Sequence, residues 1–499
     1  MKSEFKAIVR SACFCLVLTI VLTFTPTVIL SQDLLWSANY GGLYSETGYA
    51  GLAVGDSGYV ILGSTFSYGS GAYDIYLVRT DSYGDTLWTK SYGGENTDYG
   101  YDITATFDGG YVIAGATKSY GAGNKDIYLL KTNFHGDTVW TRVYGGTEFD
   151  EATSVRQTYD NGLIICGTSA SSGAGYSDLY FLKTNAEGDS VWARTYGGVG
   201  GESGSDVRQT SDSGFIAVGS TGSFGEGYSS IYVVRIDKGG DSLWATSYGG
   251  GGSDMGYSVE CTLDGGFLIV GSTSSYGAGY SDVYLIKTNS DGDTLWTSTY
   301  GGSGDDRGYS VCLAADGTYI ITGVTESYGA GNLDIYMIKT TMTGDVIWEE
   351  TYGGSSSDYG RMVFQDQGGG YVLIGDGYSD SNGGTDMYLL KIQGEVTSVE
   401  NVYAILPEGY ELRQNYPNPF NMLTTIEYTV PRHANVTLKI YNILGQVVRE
   451  WPTVFRTMGN HIVQWDGRSD SGNSVASGVY FYSLTADDFI KTKKMVLMK

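Results

Sequence analysis

One spacing governs what this chain can fold into. Trp36, Trp88, Trp140, Trp192, Trp244, Trp296 and Trp348 follow one another at steps of 52 residues, with no insertion or deletion. Tyr40, Tyr92, Tyr144, Tyr196, Tyr248, Tyr300 and Tyr352 keep the same step, each followed by Gly-Gly. So do Tyr76, Tyr128, Tyr180, Tyr232, Tyr284, Tyr336 and Tyr388. A strict period of this length marks a solenoid, a propeller or an array, whose units bury their apolar faces only against one another. Seven such units occupy residues 32–396 from Asp33 onward.

Each unit reads as four short strands. In the copy from Asp85 to Thr132 these are D-T-L-W-T-K-S-Y, Y-G-Y-D-I-T-A-T, G-Y-V-I-A-G-A-T and D-I-Y-L-L-K-T. Asp108-Gly109 is a hairpin signal between the second and third. Phe134-His135-Gly136 makes a short turn into the next Trp strand. The other two connections, Y-G-G-E-N-T-D-Y-G and K-S-Y-G-A-G-N-K-D, are longer and rich in Gly and Tyr. Runs such as Ile75-Tyr76-Leu77-Val78 are apolar on both faces, so each sheet needs cover on both sides. Radial stacking provides it.

The two ends fit together. Asp33-Leu34-Leu35-Trp36 is a Trp strand with no partner before it, and the last unit lacks a Trp strand after it. If the first strand completes the last sheet, the ring closes and no polar caps are needed. The expected fold is all-β: a seven-bladed β-propeller closed by the N-terminal strand.

The chain has 75 Gly but only 6 Pro, which suits tight turns between strands rather than a disordered tract. Its net charge of −25 is concentrated in the repeats, and this excludes a nucleic-acid function and disfavours anionic membranes. Cys166, Cys261 and Cys312 stand at unrelated repeat positions and give neither a disulfide framework nor a zinc spacing. A basic start (Lys2, Lys6, Arg10), an apolar run from Ala12 to Leu30 and a closing Ser31 read as a secretory signal peptide over residues 1–31. The alternative is an uncleaved anchor. No later segment is suited to cross a membrane, and the mature chain is expected to be an extracellular monomer.

Residues 397–406 form a linker, and from Pro407 the period is lost. Alternating runs such as Thr437–Tyr441 and Val479–Leu484, separated by Gly/Asn/Asp turns, predict a small Ig-like β-sandwich over 407–499.

Two resemblances add to this reading. The K-T-N-x-x-G-D-T-x-W pattern resembles the Trp motif of pyrroloquinoline-quinone-type propeller repeats, without positions matching that family's cofactor or metal residues. The seven-fold pattern also looks like repeat propellers of secreted bacterial proteins, some labelled endoglucanase. Residues 407–499 resemble the type A C-terminal sorting domain of the bacterial type IX secretion system. The resemblance rests on Asn415-Tyr416-Pro417-Asn418-Pro419-Phe420-Asn421, I-Y-N-x-x-G-Q, S-G-V-Y-F-Y and the basic end around Lys494. Met422 departs from it, where the family usually has Pro. The resemblance implies export across the outer membrane, with the secretion machinery as partner.

Chemistry could sit on the long-loop face. An acidic position recurs before the second strand of each unit, at Glu46, Asp98, Asp150, Glu202, Asp254, Asp306 and Asp358. The second long loop supplies Tyr68, Tyr120, Phe224, Tyr276 and Tyr328. Carboxylates beside aromatic platforms suit neutral sugars, and oxygen ligands suit Ca²⁺. The competing reading is structural, each carboxylate accepting N–H groups of its own loop. A second acidic position, Asp33, Asp85, Asp137, Asp189, Asp241, Asp293 and Asp345, is turn chemistry. The Trp and Tyr positions within strands are expected in the core. No catalytic residue is assigned: the chain has 3 His and no H-E-x-x-H, G-x-S-x-G or phosphate loop. Acid and base need different environments, whereas near-identical repeats offer near-identical ones. The expected function is a secreted or surface module binding a carbohydrate or protein, without cofactor; the alternatives are a glycoside hydrolase and a surface structural protein.

Overall fold

The computed structural model describes residues 33–394 and 410–498, apart from 55–57, 367, 380, 382, 416–417, 421–423, 431–433, 457–458, 466, 471–472 and 487–488. The leader and the linker lie outside the described residues. Every regular element among those described is a strand.

The chain opens with β1 (Leu34–Tyr40), β2 (Glu46–Ala53), β3 (Tyr59–Thr65), β4 (Asp74–Thr80) and β5 (Thr86–Tyr92). Strands β2 to β5 form one antiparallel sheet in sequence order, β5 being the Trp strand of the following repeat. Five further sheets repeat this plan, beginning at Asp98–Ala105, Asp150–Gln157, Glu202–Gln209, Asp254–Cys261 and Asp306–Leu313. The sheet that begins at Asp358–Gln365 takes β1 as its fourth strand, with Ser37 opposite Leu390 and Tyr40 opposite Met387.

Strands β3 and β4 are buried along their whole length, because their alternate side chains enter two different cores. On one side, Val60, Leu62, Ile75 and Leu77 pack with Ile103, Ile113 and Leu130 of the next sheet. On the other, Ile61, Tyr76 and Val78 pack with Tyr40, Val372, Ile374, Met387 and Leu389 of the sheet that contains β1. The first and last repeats therefore share one core. Burying each such aliphatic side chain is worth about 1.5–3 kcal/mol.

The Trp positions correct the sequence expectation. Trp348 is buried, at 4 % exposed, but Trp36, Trp88, Trp140, Trp192, Trp244 and Trp296 are only half-buried. They stand on the outermost strand, whose opposite face meets solvent, and each covers the turn of the neighbouring sheet. Gly84, at φ +86°, shows the fit: a Cβ there would lie 2.8 Å from the Trp36 ring. The Tyr40 hydroxyl donates to the Gly84 carbonyl at 2.6 Å. Tyr248 and Tyr300 make the same bond to Gly292 and Gly344, at 2.6 and 2.7 Å. One aromatic strand thus clasps one glycine turn across each of these junctions.

The C-terminal region forms a three-stranded sheet (Glu411–Leu412, Thr424–Val430, Gly459–Trp465) and a four-stranded one (Val447–Arg456, Ala434–Tyr441, Gly478–Ala486, Phe489–Leu497). They share one core that includes Ile426, Tyr428, Leu438, Ile440, Trp465, Tyr482 and Leu484.

Candidate binding face

Antiparallel connectivity places both long loops of every sheet at the same end. The first strand of each sheet begins there, and its alternation decides what faces where. Residues 46, 48 and 50 are buried, whereas 47 and 49 are half-exposed. A register shift between Gly48 and Ala50 recurs at the equivalent point of every first strand. Such bulges re-aim side chains.

Of the two readings of the acidic position, the geometry matches the structural one, and the carboxylates offered as ligand-binding residues are not accessible. Glu46, Asp98, Asp150, Glu202, Asp254, Asp306 and Asp358 are all 0–1 % exposed. Glu46 Oε2 accepts the Gly42 N–H at 2.8 Å, and Oε1 accepts the Thr65 hydroxyl at 2.7 Å and the Ser67 N–H at 3.0 Å. Asp98, Asp150, Glu202, Asp254, Asp306 and Asp358 accept the N–H of Gly94, Gly146, Gly198, Gly250, Gly302 and Gly354 at 2.7–2.9 Å. Each carboxylate ties the loop before its own strand to the loop after the next strand, and such charge-assisted bonds are the strong ones. Most of their oxygens serve these loop donors, while Asp98 Oδ1 and Asp306 Oδ1 are buried without a hydrogen-bond partner. Among the described residues no three His, Cys, Asp or Glu side chains converge as metal ligands.

A second buried acidic position, which the sequence reading passed over, lies beside the first. Asp74, Asp126, Asp178, Asp282, Asp334 and Asp386 begin their strands at 2–3 % exposed. At Gly93 the two kinds converge: a Cβ there would lie 1.8 Å from Asp74 Oδ1 and 2.7 Å from Asp98 Oδ2. Burial first, and then the neighbouring carboxylate, raises the pKa of Asp74, Asp178 and Asp282.

The aromatic platforms are in place. Tyr68, Tyr120, Phe224, Tyr276 and Tyr328 are each 42–47 % exposed. Each ring packs on a strand tyrosine with centroids 5.3–5.7 Å apart: Tyr76, Tyr128, Tyr232, Tyr284 and Tyr336 respectively. The hydroxyls of Tyr68, Tyr120, Tyr276 and Tyr328 donate to the carbonyls of Gly41, Gly93, Gly249 and Gly301 at 2.8–2.9 Å. In each loop the carboxylate is the foundation and the ring the outer surface.

Sequence reasoning missed positions 47 and 49 of the first strand and their equivalents, half-exposed sites whose residue changes among the repeats. Tyr49 and Tyr101, on neighbouring sheets, touch edge to face at 5.2 Å, and Tyr257 and Tyr309 do so at 5.1 Å. Lys125 Nζ stands 5.1, 5.2 and 5.0 Å from the rings of Tyr99, Tyr101 and Phe149 and bonds Glu151 at 2.8 Å. Arg361 lies 4.6 and 5.4 Å from the rings of Tyr359 and Tyr309 and bonds Asp376 at 3.0 Å. The seven equivalents of Tyr49 read Tyr, Tyr, Thr, Ser, Tyr, Tyr, Arg. That variation at a half-exposed strand position was the available signal.

Deeper along the same strands, a chain of charges crosses from sheet to sheet. Arg156 bonds Asp102 and, at 3.1 Å, Asp206; Arg208 bonds Asp206 at 2.6 Å and Glu260 at 2.7 Å. Burial alone would raise the Asp206 pKa, but Arg208 and Arg156 hold it below the usual carboxylate range.

In the C-terminal region the motif residues that the structure describes meet the last two strands. Asn418 Oδ1 accepts the Val496 N–H at 2.9 Å. Phe420 is buried against Trp465, its N–H donating to the Val496 carbonyl at 3.0 Å. The Asn415 N–H donates to the Tyr482 hydroxyl, and the Lys494 carbonyl accepts from Gln414, both at 2.8 Å. Pro419 sits between Asn418 and Phe420 in this turn. Tyr416, Pro417 and Asn421 lie outside the described residues.

Among known proteins, the FlgD Ig-like domain family matches residues 421–488, so the C-terminal region is Ig-like. The regulatory protein FlaEY of Caulobacter vibrioides is 26% identical over 114 residues, which are 20% of this chain but only 12% of that protein. PorZ of Porphyromonas gingivalis, a surface component of the type IX secretion system, superposes with a TM-score of 0.33 at 12% identity, over 89% of this chain and 69% of its own. Sqt1 from Chaetomium thermophilum gives 0.42 at 11% identity, over 79% and 97%. No helix among the described residues is long and apolar enough to cross a membrane.

Proposed function

We infer that residues 32–396 form a closed seven-bladed β-propeller that acts outside the cell as a non-catalytic binding or adhesion module. Residues 407–499 are its type IX sorting domain, the secretion machinery its export partner, and residues 1–31 its cleaved signal peptide. Closure is supported by β1 completing the last sheet and by the core shared between the first and last repeats. The binding reading rests on one observation: the half-exposed first-strand positions vary from repeat to repeat, while the buried strand cores beneath them and the Tyr-Gly-Gly and carboxylate that frame the first loop are kept. Constant positions maintain the frame, and variable ones can tell one ligand from another. The buried, loop-bound carboxylates favour this over glycoside cleavage, which needs two accessible carboxyl groups with separated pKa values.

The test incubates the full chain with insoluble polysaccharides and, separately, with immobilised cell-envelope proteins. Retained protein and released reducing ends are both measured. Retention without release is expected, and the Tyr101→Ala/Tyr309→Ala variant should lose at least part of it. Release of sugar ends would overturn the non-catalytic reading; retention on neither probe would overturn the binding reading.

A further inference from the structure

Three consecutive repeats carry a tyrosine that does nothing for the fold. Tyr176, Tyr228 and Tyr280 occupy the same loop position and are 84, 90 and 81 % exposed. The other repeats have Ala72, Asn124, Asn332 and Gly384 there. A single exposed aromatic needs no explanation, but the same one on three adjacent sheets forms a patterned surface.

The backbone beneath these rings is fixed. The N–H groups of Tyr176, Tyr228 and Tyr280 donate to the carbonyls of Gly200, Gly252 and Gly304 in the next repeat's loop, at 3.0, 2.9 and 3.2 Å. The residues that follow form parallel bridges to the same loops, Ser177 with Gly201, Ser229 with Ser253 and Ser281 with Asp305. A Cβ on Gly227, just before Tyr228, would lie 2.3 Å from the Gly252 carbonyl oxygen, so the two loops are in direct backbone contact. Packed sheets lie about 10 Å apart, so the rings stand at regular intervals on a rigid arc.

The chemistry of the arc selects its occupant. Residues 171–177, 223–229 and 275–281 are built from Gly, Ser, Ala, Tyr and Phe, with Glu226 the single charged residue. Tyrosine offers an apolar face and a polar tip at low entropic cost. Protein hot spots cluster in desolvated pockets and favour Arg and Trp as well as Tyr, whereas these rings stand separately on loops that carry one charged residue, Glu226. The net charge of −25 disfavours polyanions.

We propose that Tyr176, Tyr228 and Tyr280 form an extended binding track for an uncharged, linear polysaccharide, whose sugar rings stack on successive tyrosines. The inference rests on the binding reading above and names its ligand class and residues.

The test measures retention of the full chain on insoluble cellulose, chitin, β-1,3-glucan and xylan. It compares the wild type with Tyr176→Ala/Tyr228→Ala/Tyr280→Ala and with a control, Tyr83→Ala/Tyr159→Ala, which removes exposed tyrosines from the short turns at the opposite end. Thermal melts of all three should coincide, since the rings bury almost nothing. The expected result is retention of wild type and control on at least one polysaccharide, with a loss of about tenfold per tyrosine in the triple variant. Undiminished retention of the triple variant would overturn the track while leaving the binding reading, which the Tyr101/Tyr309 variant then decides. Capture by envelope protein alone would overturn the track and leave a protein-binding module. Retention on nothing would overturn both.

Discussion

Trp192 and Trp348 occupy equivalent positions and pack on an aromatic ring in the same way, but they differ in exposure. Trp192 packs on Phe215 with ring centroids 6.1 Å apart at 58°, and Trp348 packs on Tyr371 at 6.1 Å and 56°. Yet Trp348 is 4 % exposed and Trp192 only half-buried. A tryptophan that removes about 200 Å² from water contributes about 5 kcal/mol at ~25 cal/mol per Å². Half that area gives about 2.5 kcal/mol. Trp348→Ala should therefore cost about 3–5 kcal/mol, the range for a large aromatic removed from a core, and Trp192→Ala about 2–3 kcal/mol. Urea unfolding followed by tyrosine fluorescence and by far-UV circular dichroism gives both midpoints, compared at an unchanged slope. Equal losses, or a larger loss at Trp192, would refute the argument that the outer strand's aromatic contributes in proportion to its buried area.

Other perturbations test other parts of the molecule. Asp206→Ala leaves Arg156 and Arg208 facing each other without their shared carboxylate, and should lower stability by about 3–5 kcal/mol, read as a fall in the urea midpoint. Asp108, Asp160, Asp212, Asp264 and Asp316 have pKa values below the ordinary one, Asp264 at about 2, because a buried lysine or arginine and turn N–H groups outweigh desolvation. Folded values below unfolded ones mean that the stabilisation is complete above pH ~4 and lost as pH falls toward ~2; Lys287→Met should flatten that part of the melting-temperature profile. Gly188→Ala puts a side chain at φ +80° with its Cβ 2.8 Å from the Trp140 ring, and should destabilise by at least about 1 kcal/mol in the same melts. Asn418→Ala removes an acceptor of the Val496 N–H; in a cell with type IX secretion, the variant should accumulate in the periplasm while the wild type is exported.

Much of this architecture was legible because each repeat states the same instruction. The four strands per unit, the turn at Asp108-Gly109 and the pairing of the first strand with the last sheet all follow from period, alternation and end-matching. The tryptophans were misread because composition says that Trp is worth burying, while only strand order says how much cover it receives. Trp36 and its equivalents stand on the outer strand of each sheet, where six of the seven are left half-buried and only Trp348 is fully covered. The acidic position was legible as a motif but ambiguous as chemistry. Glu46 and a ligand-binding carboxylate look alike in a sequence, and only the distances to Gly42, Thr65 and Ser67 show the side chain turned inward.

The proposed binding residues escaped notice for the opposite reason. Repeat analysis rewards sameness, so it draws attention to positions that every unit needs for folding. A ligand that spans several sheets meets a different residue on each, and the informative positions are exposed ones where the repeated unit changes. Tyr49, Tyr101 and Arg361 are one such set, and Tyr176, Tyr228 and Tyr280 another. The second set carries the sharper physical argument, because a half-exposed tyrosine in the first set also packs against its neighbours. A ring left more than four-fifths exposed, on a loop locked by its own N–H, contributes almost nothing to stability. Removing it should therefore change binding and leave the melting curve where it was.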